Sequence, residues 1–511
     1  MAGFMGRQQR ILAAQAPIAT PISLPSPTNG WNARDELDAM DPLDAVRLDN
    51  WFPDAGGLFV RNGSSAYATG MPSAPVETLA EYHAGGVNKM LAACGGGVYD
   101  ISSGGAVGAA LASGFTSNRW QTCAFLSRTV FVNGKDHGKI YDGTTFVDDA
   151  FTGVSTATLI GIWQYQNRLF FWQAASTGFY FALLNSISGA LSFYDLSPFC
   201  PRGGNLVAMT SISYDGGNGV IDYAAFMMSS GDVLLFQGND PALSSNWSLA
   251  GQYRMAAPVN LRAVADYGGD SFVTTFDDHV TLQQMLTALR AGQMAPRSKV
   301  SKAVQQAVNA NGHAFGWQAL YYPRGRSLIF NIPNVDGTFS QHVCNTALPK
   351  QPWCRYEGLN AHCFGLYKDF LYFGGANGIV YLADTGNSDS GAAIAAMAQP
   401  AWNKLGVATR KRVTAVRPVV QSVGQMSFNF GIGFDYTELT VLAPGSTAPV
   451  GSPWDVSAWD TSPWSSEITV DTHWRGGGGT GTSIGFVLVV GAVQQVAWYR
   501  TDIRIEGGNA L

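Results

Sequence analysis

The sequence predicts a mostly β fold: a β-propeller with short helical insertions, followed by a C-terminal β domain. A unit made of an apolar strand, a Gly/Asn/Asp turn and a second apolar strand recurs along the chain. Successive units start about 40 to 55 residues apart, which is the spacing of propeller blades. The units cover residues 89–102, 128–146, 168–184, 223–238, 271–280, 327–341 and 370–386. We therefore expect six or seven blades, and a large irregular β-sandwich is the alternative.

The turns inside these units have hairpin chemistry. They include Asn133-Gly134, Asp142-Gly143, Asp336-Gly337 and Asn377-Gly378. Gly and Asn tolerate the positive φ that tight turns require, so each pair is suited to joining two antiparallel strands.

Three stretches interrupt the strand pattern with a helical period. Leu282, Met285, Leu286 and Leu289 recur at helical spacing before Gly292. A second apolar stripe runs from residue 300 to 308 and ends at residues 311–312, so the helical insertion spans about 281–312. A weaker helix is predicted at 392–397. We expect the first two to pack on the rim of the propeller or against a neighbouring subunit.

The N-terminal region, residues 1–54, is predicted to be an extended arm followed by a short helix. The first 30 residues are rich in Pro, Ala and Ser. Asp41 is suited to capping a helix, and Pro42 has no N–H that would be left unpaired at its first turn. This helix is expected to end near Asn50. The propeller then covers residues 55–385.

The C-terminal domain, residues 386–511, is predicted to be β-rich, and the N-terminal segment is expected to join it. Its strongest strands are 484–490 and 495–505. Trp454, Trp459 and Trp464 recur every five residues. Exposed aromatic rows stack sugars or bases, but we favour burial as packing anchors or within a subunit interface, where Trp is enriched.

The charge content indicates a protein with much of its surface covered by partners. Only 13% of the 511 residues are charged, with 31 basic against 36 acidic residues. No basic stripe appears along the sequence, which argues against a protein that grips phosphates. The densest basic cluster is Arg410, Lys411 and Arg412, and we expect it to face a partner subunit or a carboxylate.

No motif in the sequence predicts catalysis, a cofactor or a metal. Gly476, Gly478 and Gly481 satisfy GxGxxG, but a strand is predicted after them where a dinucleotide site needs a helix. Ser213 and Asp215 match only the first half of a sialidase Asp-box. The spacing of the six cysteines fits no zinc finger or ribbon, although Cys344, Cys354 and Cys363 lie near two histidines. The longest apolar run, 484–493, is too short to span a bilayer. The protein is therefore predicted not to be an enzyme and not to anchor itself in a membrane.

Both ends of the chain resemble the tail nozzle and hub proteins of short-tailed bacteriophages, also called tail tubular or stabilisation proteins. Residues 29–62 read NGWNARDELDAMDPLDAVRLDNWFPDAGGLFVRN, and Gly63 follows. Related proteins also show spacing like Trp454-Asp455 and Trp459-Asp460, and an acidic-Gly-Gly stretch like residues 506–508.

The resemblance implies a homohexameric ring in the virion tail, assembled in the host cytoplasm. Such a ring lies below the portal and the adaptor, or head-to-tail connector, with tail fibres as further partners. It continues the channel for DNA ejection, through which the genome passes without specific binding. One alternative is a carbohydrate-binding or carbohydrate-active propeller, a receptor-binding tail protein. Another is a scaffold protein of a long-tailed virion.

Overall fold

The computed structural model describes residues 20–215, 220–290, 297–406, 409–423, 426–444 and 468–507. The first strands precede the repeating units: β1 Thr20–Pro25, β2 Ala45–Asp49, β3 Trp51–Asp54, β4 Gly57–Val60 and β5 Ser64–Thr69. The first three blades and the strands between them follow: β6 Val76–Ala84, β7 Val87–Cys94, β8 Gly97–Asp100, β9 Gly105–Ala106, β10 Ala112–Ser113, β11 Gln121–Phe125, β12 Arg128–Val132, β13 Lys139–Tyr141, β14 Phe146–Asp148, β15 Ala150–Thr152, β16 Leu159–Tyr165, β17 Arg168–Gln173, β18 Gly178–Phe181, β19 Ser188–Ala190 and β20 Ser192–Asp195.

The next four blades contain the helical insertion: β21 Leu206–Asp215, β22 Val220–Met228, β23 Asp232–Gly238, β24 Trp247–Arg254, β25 Val264–Tyr267, β26 Asp270–Thr274, β27 His279–Thr281, α1 Leu282–Arg290, α2 Ser301–Asn311, β28 Gln318–Tyr322, β29 Ser327–Pro333, β30 Phe339–Asn345, β31 Trp353–Glu357, β32 Cys363–Tyr367, β33 Phe370–Gly374 and β34 Val380–Ala383. The last strands complete the fold: β35 Ile394–Pro400, β36 Lys411–Val423, β37 Phe428–Phe434, β38 Ile468–Asp471, β39 Arg475–Gly476, β40 Thr480–Gly481, β41 Ile484–Ala492 and β42 Val496–Gly507. Two 3₁₀ turns lie at Thr156–Thr158 and Ser197–Phe199.

The described strands form a β-propeller of seven blades. The inner strands β6, β11, β16, β21, β25, β28 and β32 contact one another in a closed circle, and each begins a sheet of three or more antiparallel strands. Every predicted strand–turn–strand unit falls on one blade. The glycines of the predicted turns have positive φ, from 71° at Gly134 to 99° at Gly143. The predicted fold class is therefore confirmed.

The propeller closes by pairing strands from opposite ends of its sequence. Blade seven takes β32, β33 and β34 from the C-terminal side and β5 from the N-terminal side, with Ala68 opposite Val380 in the antiparallel ladder. Strand β9 extends β5 in parallel. This pairing joins the two ends of the propeller sequence within one blade.

Apolar clusters fill the spaces between neighbouring blades. Between blades three and four, the rings of Phe179 and Phe226 stack with centroids 4.6 Å apart, and Phe236 and Trp247 stack at 5.2 Å. All four are at most 4% exposed. Burying one such side chain contributes about 1.5–3 kcal/mol, so each contact between blades is strongly favoured.

The C-terminal strands form two packed sheets. One sheet has the order β3-β4-β42-β36-β38, with β1 also on β42 and both β39 and β40 on β36. The other continues blade six outward in the order β28-β29-β30-β31-β2-β35-β41-β37. Trp51, Phe486 and Trp498 meet between them. The N-terminal strands therefore join the C-terminal strands.

Two of the four predicted helical segments are strands. Residues 45–49 form β2, because buried Ala45 and Leu48 pair with Pro400 and Ala398 of β35. The Asp41 carboxylate accepts the Leu43 N–H at 2.8 Å in a turn and caps no helix. The helix predicted at 392–397 is likewise replaced by β35, which pairs with β41.

The other two predicted helices are confirmed. Helix α1 buries Leu282 and Leu286 against blades four and five. Helix α2 ends at Asn311 as predicted and buries Val304 and Val308 in the largest apolar cluster. Among the described residues, neither helix is long and apolar enough to cross a membrane. Most of the predicted arm, residues 1–19, lies outside the described residues.

Candidate functional site

The segment that carries the family resemblance begins with a turn seated on blade six. Gly30 has φ +82°, and an added Cβ would lie 2.5 Å from the Trp353 carbonyl oxygen. The Trp31 N–H donates to that same oxygen at 2.7 Å, and the Trp31 ring meets the edge of His342 at 4.9 Å. The glycine is therefore required by close backbone approach.

The acidic part of the segment is tied to the start of α2. The Asn32 amide donates to Asp35 at 2.8 Å and to Asp44 at 2.7 Å. Asp44 also accepts from the Lys299 ammonium at 2.5 Å. The Arg34 hydrogen bond and the Asn32 amide lower the pKa of Asp35 to about 2. The loop is thereby fixed to the helical insertion.

The end of the segment forms a buried clamp around Arg61, which is 4% exposed. Its guanidinium donates to both Asp389 oxygens, at 2.6 and 3.0 Å, and to the Glu357 carbonyl oxygen at 3.0 Å. Its Nε donates to the Asn50 side-chain oxygen at 2.9 Å. Asn50, held at φ +58°, in turn donates to the Ala395 carbonyl oxygen at 2.8 Å. One network thus joins blade six, the chain after blade seven, and β35.

Gly63 completes the clamp. A Cβ there would lie 2.0 Å from the Ser388 carbonyl oxygen, nearer than any side chain can approach. The Gly63 N–H donates to the Gly386 carbonyl oxygen at 3.0 Å, and the next N–H, of Ser64, donates to Ser388 at 3.1 Å. The chain leaving blade seven therefore packs directly on the backbone that enters it.

The predicted interface residues are only partly described. Trp454, Trp459 and Trp464 lie outside the described residues. Arg410 and Arg412 are exposed, whereas Lys411 is 1% exposed and donates to the Thr482 carbonyl oxygen at 2.6 Å. Burial lowers the pKa of Lys411. The triplet is therefore not one basic surface, because its central side chain points inward.

A larger basic surface is assembled from strands that are distant in sequence. The outer face of β36 and β42, opposite the core, carries Arg412, Arg417, Arg500 and Arg504. The guanidiniums of Arg417 and Arg504 lie 4.7 and 4.4 Å from the ring centre of Trp474. We call these five residues the arginine face.

Two carboxylates partly neutralise the positive charge of the arginine face. Asp502 accepts from Arg417 at 2.6 Å and from Arg500 at 3.3 Å, and Glu506 lies opposite Arg412 in the ladder. On the neighbouring edge strand β38, Ile468 and Val470 are 65% and 48% exposed. A mixed basic and apolar surface of this kind is typical of contacts between proteins.

Two histidines form a buried pair between blades five and six. His279 Nε2 and His342 Nδ1 are 3.2 Å apart, and the Thr274 hydroxyl lies 3.0 Å from His279 Nδ1. The His279 ring stacks on Phe330 with centroids 3.9 Å apart. Burial lowers the pKa of His342 to about 3 and that of His279 well below its usual value.

The residues considered for a metal site do not converge on one. Cys344, Cys354 and Cys363 are all buried, and burial raises the pKa of each thiol. Within the described ranges, no group of three or more His, Cys, Asp or Glu side chains is arranged to hold a metal ion. The strand predicted after the GxGxxG match is present as β41.

Two cavities bear on binding. A cleft of about 400 Å³ lies beside the clamp, and its carboxylates Asp54 and Asp384 are engaged by Arg326 at 2.8 Å and Tyr322 at 2.9 Å. A second cavity, of about 180 Å³, lies on the propeller axis and is lined from all seven blades. We call the second one the axial cavity.

Comparison with known proteins gives only distant structural likenesses. No protein-family model and no curated protein matches the chain. A structure of BBS1N in complex with ARL6DN is 12% identical with a TM-score of 0.39, covering 63% of this chain and 98% of that one. PorZ, a surface component of the type-IX secretion system of Porphyromonas gingivalis, is 10% identical with a TM-score of 0.38, covering 69% of this chain and 45% of that one. Saccharomyces cerevisiae Sqt1 is 8% identical with a TM-score of 0.38, covering 64% of this chain and all of that one. At these values the likenesses carry no conclusion about binding or activity.

Proposed function

We propose that this chain is a structural subunit of a phage tail, forming the nozzle or hub ring that continues the DNA ejection channel below the portal and adaptor. The observation that supports this most is the clamp. Arg61, Asn50, Gly30 and Gly63, which belong to the segment resembling that family, hold the junction between the propeller and the C-terminal sheets. A likeness concentrated in residues that build the framework favours a shared architecture.

The axial cavity bears on where DNA would pass. Its volume is about 180 Å³, which is below even the roughly 300–1,000 Å³ of pockets that hold drug-sized ligands. A duplex therefore cannot follow the axis of one propeller. In the proposed assembly the genome passes between copies of the chain, so the copies must form a closed ring. The family resemblance suggests that this ring has six subunits.

A closed ring needs a heterologous contact, in which two different surfaces of each copy meet. We propose that the arginine face and the adjoining apolar residues of β38 supply one of these surfaces. Arg410 is exposed next to Arg412 and extends this surface. The predicted contribution of Trp454, Trp459 and Trp464 belongs to the same proposal, with the adaptor and tail fibres as further partners.

The proposal excludes an enzymatic role and strong DNA binding. The chain carries 31 basic against 36 acidic residues, so a channel wall built from it is expected to be neutral or negative. Each phosphate gripped by a basic side chain would add a barrier to sliding. The genome would then pass through the virion tail without specific binding.

Cryo-EM of purified virions, together with mass photometry of the protein mixed with portal and adaptor, tests the proposal. We expect a closed ring with the chain at the tail exit. The double variant Arg500→Glu/Arg504→Glu should abolish the ring, whereas Arg254→Glu, an exposed arginine of blade four, should leave it intact. A single copy per particle, an open helical array, or absence from the tail would overturn the proposal.

A further inference from the structure

Among the described residues, the cation that lines the axial cavity forms no ion pair. Arg262 precedes β25 and lines the cavity. Its guanidinium donates to the carbonyl oxygens of Glu77 at 2.8 Å and Trp120 at 2.7 Å, and to the Thr78 hydroxyl at 3.0 Å. All three acceptors are neutral, and together they tie blade five to blades one and two.

The nearest carboxylate is engaged elsewhere. The Glu77 side chain pairs with Arg119 at 2.9 Å, outside the cavity. Arg119 and Arg262 both lie against the Phe315 ring, at 4.2 and 5.1 Å from its centre. Among the described residues, no carboxylate reaches Arg262 within ion-pair distance, and burial lowers its pKa. Arg262 is half-buried on the cavity wall, and a charge partly removed from water is unfavourable unless an opposite charge compensates it.

The rest of the lining is rich in unused donors. Among the described residues, the buried indole N–H groups of Trp120, Trp163 and Trp172 have no acceptor, and the half-buried side chains of Gln121 and Thr122 also line the cavity. None of the residues described around the cavity is Asp or Glu. Buried donors are normally paired, so three unpaired indole N–H groups around one cavity point to an absent acceptor.

We propose that the axial cavity binds a small inorganic oxyanion of the phosphate or sulfate class, held by Arg262 with Thr122 and Gln121. The lining offers a guanidinium and neutral donors but no carboxylate or histidine, so it suits an anion and not a metal cation. A volume of about 180 Å³ accommodates a five-atom oxyanion, whereas pockets for drug-sized ligands occupy about 300–1,000 Å³. This site is independent of the proposed tail function.

Isothermal titration calorimetry with inorganic phosphate tests the proposal, with sodium chloride keeping the ionic strength constant. We expect saturable binding of one phosphate per chain, competed by sulfate and accompanied by a change in tryptophan fluorescence. Thr122→Val and Gln121→Leu should each weaken binding about tenfold or more, because each removes a hydrogen bond to a charged ligand. Arg262→Met should abolish it.

Arg254→Met is the control, since Arg254 is an exposed arginine of blade four that does not line the cavity. It should bind phosphate as the unaltered chain does. If Arg262→Met fails to fold, the phosphate affinities of the Thr122→Val and Gln121→Leu variants test the proposal instead. Absence of phosphate binding in the unaltered chain, or binding that these variants leave unchanged, would overturn the proposal.

Discussion

The buried pair His279–His342 should make the protein lose stability as the pH falls through the mildly acidic range. Both side chains are at most 4% exposed, and they share a contact of 3.2 Å. A neutral imidazole has one donor and one acceptor nitrogen, whereas both nitrogens of a protonated ring are donors, so this hydrogen bond needs at least one neutral ring. Protonating both would place two positive charges in contact, with Arg355 adding a third nearby.

The direction and size of this pH effect follow from the difference in proton binding between the folded and the unfolded chain. The pKa of His342 falls from its usual 6.5 to about 3 in the folded protein. Between these values the unfolded chain binds a proton that the folded chain does not. The contribution is therefore complete above about pH 6.5 and is lost as the pH falls toward 3. Well inside this window each pH unit costs about 1.4 kcal/mol, so lowering the pH from 7.5 to 4.5 costs about 2.7 kcal/mol through His342 alone.

Urea unfolding at pH 7.5, 6.5, 5.5 and 4.5 measures this loss. The variant His342→Gln retains a side chain able to hydrogen-bond but cannot titrate, so its free energy of unfolding should fall less steeply, by about 1.4 kcal/mol per pH unit. His473→Gln is the control, because His473 has a side chain 86% exposed. Equal slopes for His342→Gln and the unaltered chain would refute the reasoning.

Further predictions concern the clamp, DNA and catalysis. Arg61→Met should lower the free energy of unfolding by about 3 kcal/mol or more, because it breaks a buried ion pair; urea unfolding would contradict this if the loss were under about 1 kcal/mol. Gly63→Ala should lower the melting temperature sharply by a clash with Ser388, whereas Gly478→Ala, with open space around it, should not. In gel-shift assays at physiological salt the protein should retard duplex DNA more weakly than nonspecific binders, whose dissociation constants are roughly 10⁻⁴ to 10⁻⁶ M; micromolar, salt-sensitive binding lost when residues 410–412 become Ala would contradict this. Glycan-array assays should show no cleavage, and turnover abolished by one carboxylate mutation would show an enzyme.

The propeller could be predicted because its signals are local. A hairpin needs only alternating apolar residues and a turn that accepts positive φ, and the chain shows both on every blade. The predicted units correspond to the second and third strands of each blade. Outer strands such as β10 and β14 were missed, because they are only two or three residues long and largely exposed.

The two wrong helices show where local signals mislead. Asp41 and Pro42 suit the start of a helix, but in the structure they form a turn. The residues that follow form β2, which pairs with β35. The alanine-rich stretch of β35 has high helix propensity, yet it lies between β2 and β41 in a sheet. Tertiary pairing overrode propensity in both segments.

The arginine face and the axial site could not be predicted from the sequence. Arg417 and Arg504 are far apart in the chain and meet only through the register of β36 and β42. Arg262 belongs to no basic cluster in the sequence. That no carboxylate forms an ion pair with it can be seen only once the seven blades are assembled. An average charge near neutrality therefore conceals both a basic face and an unpaired internal cation.

Part of the segment that carries the resemblance has a structural role in the clamp. Arg61 and Gly63 act where the first and last blades close and where the C-terminal sheets begin, so a change at either site disturbs both parts. Blade surfaces carry no such constraint, since exposed side chains affect only local contacts. Likeness in the clamp thus favours a common framework, and the proposed ring assigns the contacts between copies to exposed surfaces such as the arginine face. Variants of that face should change assembly without changing the free energy of unfolding, whereas variants of the clamp should change both.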